Sequence, residues 1–218
     1  MSNYQFRISS AAQLYVKHLE VIREIRDSKS KDAKHLYAKH LKIVEEMRAE
    51  TYRNIAEFGN VLLKLLCGKE GLAHKETTPV GSYAGGKIHY LWIEAASDKE
   101  KKRKVREVGM VSFALPIPNK VKNSNDATWE TYWGVFDIVR THRFKVWVNY
   151  EGSDLQARQQ ILELARNKQF GTFHEDESES NYSICSMWIP LKSDNLVGSA
   201  AETLKSLVRK VYEAQKRL

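Results

Sequence analysis

Cysteine, proline and glycine are scarce in this chain, and their scarcity excludes several classes of protein. The 218 residues include two cysteines, four prolines and eleven glycines. Low-complexity tails and disulfide-stapled secreted scaffolds need far more of these residues. Cys67 and Cys185 each follow apolar neighbours, which favours buried free thiols over a disulfide, and their spacing matches no zinc motif. We therefore predict no cofactor and no structural metal.

Long apolar runs are also missing. No stretch approaches the roughly 20 apolar residues that span a bilayer, and residues 1–7 lack the apolar segment of a secretory signal. Hydrophobic residues nevertheless make up 42% of the chain, which is enough for a folded core. These features predict a folded, cytoplasmic protein without a membrane partner.

The charge is moderately positive. The chain has 35 Lys and Arg residues against 27 Asp and Glu residues, a net charge of +8, and the excess lies mainly in the first two thirds. This balance favours polyanionic partners such as nucleic acid or anionic lipid. It is a weak indicator by itself, because proteins that bind nothing charged often carry similar mixed surfaces.

An internal repeat is the clearest feature of the sequence. Residues 15–26 (YVKHLEVIREIR) and 37–48 (YAKHLKIVEEMR) share Tyr, Lys, His, Leu, Glu and Arg at matching places, 22 residues apart. Each copy contains an apolar stripe with helical spacing, so each copy predicts a helix. The stripe comprises Tyr15, Leu19 and Ile22 in the first copy and Tyr37, Leu41 and Val44 in the second.

A polar segment at residues 27–32 interrupts the stripe and predicts a hairpin of two helices, about residues 10–27 and 32–66. Ser30 or Asp32 would cap the second helix and Gly68 would end it. A single unbroken rod is the alternative, because neither glycine nor proline enforces a turn. We expect the two stripes to pack within the chain, with self-association or capture of a protein partner as a close second.

The rest of the chain predicts a compact domain. Its elements, in chain order, are a loop at 68–86, strands at 87–95 and 108–115, a helix at 129–140, a strand at 143–150, a helix from a capping box at Ser153 to about 168, an irregular segment at 170–181, a strand at 182–191 and a closing helix capped by Asp194. The predicted fold is α+β. A helical hairpin or long helix (residues 1–68) precedes a mixed α/β two-layer domain with an antiparallel-rich sheet (residues 69–218).

Catalytic motifs give no positive indication of an enzyme. The segment from Gly81 to Lys87 fits GxxxxGK, but no buried strand precedes it and a strand-like segment follows it. Ile88 also stands where a phosphate-binding loop has the Ser or Thr that holds magnesium. A glycine-rich turn is the simpler interpretation. The sequence contains no Ser-His-Asp arrangement that we can defend.

The acidic segment after His174, residues 175–179, has the oxygen ligands that a divalent cation prefers. It lacks the carboxylate-and-lysine pattern of metal-dependent nucleases, so a solvated turn is the better interpretation. A metal-dependent nuclease remains an alternative function.

Two groups of cations favour nucleic-acid binding. Alternation in the strand at 143–150 places Arg143, Lys145 and Trp147 on one face, where two cations beside an indole resemble a stacking platform for single-stranded bases. The competing interpretation is a Trp packed under a helix with the basic stems extended to solvent. The second group is a loop run that would contact phosphates or simply be solvated. It contains Lys99, Lys101, Lys102, Arg103, Lys104 and Arg106.

We therefore expect a non-enzymatic nucleic-acid-binding or nucleoprotein-associated protein. One alternative is a protein–protein adaptor or inhibitor that acts, or self-associates, through the N-terminal helical arm.

Overall fold

The computed structural model describes residues 6–67, 72–77, 86–93, 110–118, 130, 134–151, 155–166, 172–175 and 183–215. These residues form an α+β fold, as the sequence predicts. The helices are α1 (Ser10–Lys17), α2 (Leu19–Asp27), α3 (Lys31–Leu66), α4 (Asp137–Arg140), α5 (Leu155–Ala165) and α6 (Leu196–Gln215). The strands are β1 (Leu72–Thr77), β2 (Gly86–Ile93), β3 (Met110–Pro118), β4 (Arg143–Glu151), β5 (Thr172–Glu175) and β6 (Ser183–Pro190).

The N-terminal third is a hairpin and not a rod. Ser28 and Ser30 have extended backbone, and the Ser30 amide donates to the Ser28 hydroxyl at 3.2 Å. Serine hydroxyls accept such local bonds readily, so they turn the chain without glycine or proline. His18 separates α1 from α2, and both pack against α3. Ser30 occupies the N-cap of α3 but makes no side-chain capping bond, and Gly68 lies outside the described residues.

The six described strands form one antiparallel sheet in the order β1-β2-β3-β4-β6-β5. The first four are a meander, and the chain then crosses through α5 to the edge strand β5 before β6 enters between β4 and β5. The predicted strands at 87–95 and 108–115 pair as β2 and β3, with Lys87 opposite Ile117. Strand β6, predicted to be interior, has neighbours on both sides.

One hydrophobic core joins the arm to the sheet. Phe144, Val146 and Val148 of β4 are buried, and the Phe144 ring lies 5.3 Å from that of Phe58 in α3. Helix α3 also packs on α6, and α5 and α6 pack on β6. Residues on both sides of position 68 thus belong to this one core.

Two edge strands were missed by the sequence analysis. Residues 72–77 belong to the predicted loop at 68–86 but form β1, and residues 172–175 belong to the predicted irregular segment but form β5. Both lie at an edge of the sheet, where polar and charged residues are common and the alternation that marks a half-buried strand is weak. Their pairing partners, β2 and β6, decide their conformation.

The prediction of one helix over residues 129–140 is wrong at its centre. Gly134 has φ +61°, a left-handed conformation that glycine adopts without steric cost, and α4 begins only at Asp137. A Cβ at Gly134 would collide with the indole of Trp188 on β6. The close approach of backbone to indole therefore requires glycine here, and a regular helix through this point is excluded.

The closing helix also has a different cap from the predicted one. The side-chain oxygen of Asn195, and not that of Asp194, accepts a hydrogen bond from the Gly198 amide at 3.1 Å.

Within the part of the chain that is described, no helix has the length and apolar character needed to cross a membrane.

Candidate nucleic-acid interface

Strand β4 brings the predicted cations to one face of the sheet, together with two indoles. Lys145 lies opposite Trp188 of β6 in the register, and Trp147 lies opposite Ser186. The Lys145 Nζ is 4.2 Å from the ring centre of Trp147 and 5.6 Å from that of Trp188. The Arg143 Cζ is 5.1 Å from the ring centre of Trp188. These are cation–π distances, so the indoles hold both cations in place.

Trp147 does not have the exposed ring that a stacking platform needs. Its side chain belongs to the core and is only 7% exposed, and the Lys145 ammonium lies over its ring. A base needs a free aromatic face for stacking, so the burial of Trp147 argues against that predicted role. The competing interpretation from sequence, a packed indole with cations at its margin, describes its position better.

Arg143 is the most accessible cation of this face. Its side chain is exposed, and its Nε donates to the Thr141 hydroxyl at 3.1 Å. Lys145 is half-buried. An exposed guanidinium that is held at one nitrogen and over one ring keeps further N–H groups for a phosphate or carboxylate.

Trp188 was missed by sequence reasoning. The strand at 182–191 is apolar on both faces, so its sequence does not say which residues join the Arg143 face. Only the register of β4 with β6 places Trp188 opposite Lys145, where its ring also lies 5.1 Å from the Arg143 Cζ. The Gly134 backbone covers part of this indole.

The predicted basic loop lies outside the described residues, so the structure does not test it. This statement applies to Lys99, Lys101, Lys102, Arg103, Lys104 and Arg106. The acidic residues at 176–179 and the glycine-rich segment at 81–85 also lie outside. The segment that follows the GxxxxGK match is strand β2, as predicted, and not the helix that a phosphate-binding loop requires.

The residues predicted for interaction through the arm have two different environments. Tyr15 and Leu19 are buried in the chain's own core, and Ile22 and Val44 pack against it. Tyr37 is half-buried, and Leu41 is 36% exposed. Tyr15 and Leu19 therefore belong to internal packing and are not accessible to another molecule, which corrects that part of the prediction.

An ion-pair bridge near α4 attaches the arm, helices α1 to α3, to the rest of the chain, which we call the body. One Glu130 carboxylate oxygen accepts from Arg23 of α2 at 2.6 Å, and the other accepts from Arg140. The Glu130 side chain is 11% exposed, and each of its carboxylate oxygens is paired with a guanidinium group. This bridge, together with the contacts of the Phe136 ring to Tyr15 and Tyr52, fixes where the arm leaves the body.

The end of the arm is a cationic surface. We define the arm tip as residues 26–42, which hold six Lys or Arg side chains against two Asp, a net charge of +4 and half of the chain's +8. The Arg26 guanidinium donates to both Asp27 oxygens, at 2.8 and 3.0 Å, and this hydrogen bonding lowers the pKa of Asp27. The sequence analysis missed this surface because its cations are interleaved with the repeat and do not form a run.

Groups that could support other chemistry are few in the described structure. Among the residues placed there, no cluster of three His, Cys, Asp or Glu side chains could hold a metal ion. Burial raises the pKa of the Cys67 thiol, which disfavours the nucleophilic thiolate.

Comparison of the chain with known protein families, with curated proteins and with solved structures found no match.

Proposed function

We propose that this protein binds nucleic acid without catalysing a reaction. The observation that carries the proposal is the Arg143 face of the sheet, where an exposed guanidinium and a half-buried ammonium are held by two indoles. The net charge of +8 supports it, because a polyanion gains affinity from each cation that replaces a condensed counterion.

The mode of contact differs from base stacking. With Trp147 buried, the cations of this face would contact phosphate oxygens and position the nucleic acid without reading its sequence. Affinity should therefore depend on salt more strongly than on sequence.

Binding of the full chain to labelled DNA and RNA, single-stranded and duplex, tests the proposal. We expect binding at about 50 mM salt that weakens linearly on a log–log plot as salt rises to about 200 mM. The double variant Arg143→Gln/Lys145→Gln should weaken binding relative to Lys64→Gln/Lys205→Gln, a control that removes the same charge at an exposed and a half-buried position elsewhere. Absence of binding at low salt, or binding without a salt slope, would refute the proposal.

A second candidate function is supported by exposed apolar residues on the arm. Val21, Leu36 and Ile43 are each about half exposed, at 51%, 46% and 55%. An adaptor that pairs through the arm would use them. Light scattering of the full chain and of Leu36→Glu/Ile43→Glu tests self-association. A wild-type monomer, or an oligomer that survives in the double variant, would remove self-association through these residues.

A further inference from the structure

The arm projects beyond the hydrophobic core. No side chain from residue 20 to residue 50 is buried, whereas nine residues of α3 from Thr51 to Leu66 are. Helix α3 has 36 residues, so it is about 54 Å long. Val44 and Met47 still pack against the core, and the part of α3 before Val44, about a third of the helix, extends past it. A projecting helical hairpin without buried residues contributes little to the stability of the fold. Its exposed side chains are therefore available for contact with another molecule.

The outward side of α3 at the arm tip is a basic stripe. Lys31, His35, Lys39 and Lys42 are spaced four, four and three residues apart, which places them on one helix face, and all four are exposed. None of the three lysines takes part in an ion pair with a described residue. From Lys31 to Lys42 the stripe is about 16 Å long, which equals the axial rise of about five base pairs of a duplex.

The charge decides which kind of partner fits this surface. If two arm tips packed together, each would have a net charge of +4. Their repulsion disfavours a second copy of the chain as the partner of this surface. A membrane-surface helix needs a free apolar face opposite its cations. Here the face opposite the cations carries Tyr37 and Val44, which are half-buried in a hairpin whose two helices pack together. The exposed Leu36 and Ile43 lie to one side of the basic stripe and not opposite it.

We infer that the arm tip contacts the phosphate backbone of a nucleic acid through Lys31, Lys39 and Lys42. This inference rests on the proposed function and adds a second contact surface to the Arg143 face. Lysine stems are long enough to follow a backbone, and each lysine–phosphate contact releases a counterion. The arm would therefore supply sequence-independent affinity.

The test compares two triple variants of the full chain with equal charge loss. Lys31→Gln/Lys39→Gln/Lys42→Gln removes the stripe, and Lys17→Gln/Lys64→Gln/Lys192→Gln removes three exposed lysines elsewhere. For the stripe variant we expect the slope of log Kobs against log salt, measured with duplex DNA of about 30 base pairs, to fall by about 2.7, or 0.9 per phosphate. The control should change the slope by less than about 1.

Acetylation of lysines with and without the duplex gives a readout that needs no variant. We expect DNA to protect Lys31, Lys39 and Lys42 and to leave Lys17, Lys64 and Lys192 reactive. Equal slopes for the two variants, or an unprotected stripe, overturn the inference while wild-type binding keeps the proposed function intact.

The same variants distinguish a nucleic acid from an anionic membrane as the partner of the arm tip. Binding of wild type to phosphatidylserine vesicles, lost in the stripe variant and accompanied by unchanged duplex binding, would assign the arm tip to a membrane and overturn the inference. If wild type binds no nucleic acid at all, the proposed function fails first and this inference fails with it.

Discussion

The two copies of the repeat are identical at six of twelve positions, yet their shared leucine and tyrosine are buried to different depths. Leu19 is 1% exposed in the core, whereas its counterpart Leu41, 22 residues later, is 36% exposed on the arm. Tyr15 is buried and Tyr37 is half-buried. The comparison teaches that a helical apolar stripe specifies a helix with one preferred side, but does not specify how deeply that side is buried.

The positions where the copies differ agree with their environments. Val16 is buried, and its counterpart Ala38 is exposed. Arg23, which binds Glu130, corresponds to Glu45, and Glu20 corresponds to Lys42 of the basic stripe. The first copy thus has the groups that attach to the body, and the second has a cation where the arm meets solvent.

The largest expected difference lies between the two halves of α3. Residues 51–66 are in the core, so their amides should exchange with solvent only near global unfolding, which typically costs about 5–15 kcal/mol. Residues 31–45 lack buried side chains and should open at a small fraction of that cost. Hydrogen exchange followed by mass spectrometry measures both. Uniform protection along α3 would show that the arm tip is covered in solution and that the two halves of the helix do not differ.

Truncation of the repeated leucine should give the next largest effect. Leu19→Ala should cost about 2–5 kcal/mol because it leaves a cavity in the core. Leu41→Ala should cost less than about 1 kcal/mol, because much of that side chain already contacts water. Urea unfolding of both variants measures the difference. Equal losses would mean that the arm is as firmly packed as the body.

Removal of the charge that fastens the arm should have a smaller effect. Glu130→Gln leaves Arg23 and Arg140 without their shared carboxylate and should cost about 1–3 kcal/mol, moderated because both arginines retain contact with solvent. Glu45→Gln, the matched change at the counterpart of Arg23, should remain within about 0.5 kcal/mol. Thermal unfolding checks both. A cost for Glu45→Gln as large as that for Glu130→Gln would contradict the assignment of the bridge.

Local signals predicted most of the elements. The helical spacing of the repeat, the polar break near Ser28 and the alternation of residues 143–150 each reflect interactions within one segment, and each prediction is confirmed. Interior β6 was recognised from its apolar run. The edge strands β1 and β5 were missed, since their conformation comes from pairing with distant segments.

In the candidate site, too, some features were predicted from one segment and others depend on contacts between distant segments. Alternation placed Arg143, Lys145 and Trp147 on one face, and the structure brings them together. The addition of Trp188, the burial of Trp147 and the left-handed turn at Gly134 all depend on the register between β4 and β6 and on what lies over it. Such contacts between segments far apart in sequence leave no periodic signal in either segment.

Signals within single segments were enough to predict a charged helical N-terminal third, as a hairpin or a long helix, and an α+β fold, because backbone capping and side-chain periodicity act over a few residues. Packing between distant segments determines which of the two repeat leucines is buried and that the cationic arm tip lies away from the buried core. The physical reason is that burial and electrostatic potential are sums over distant neighbours, and chain folding alone chooses those neighbours.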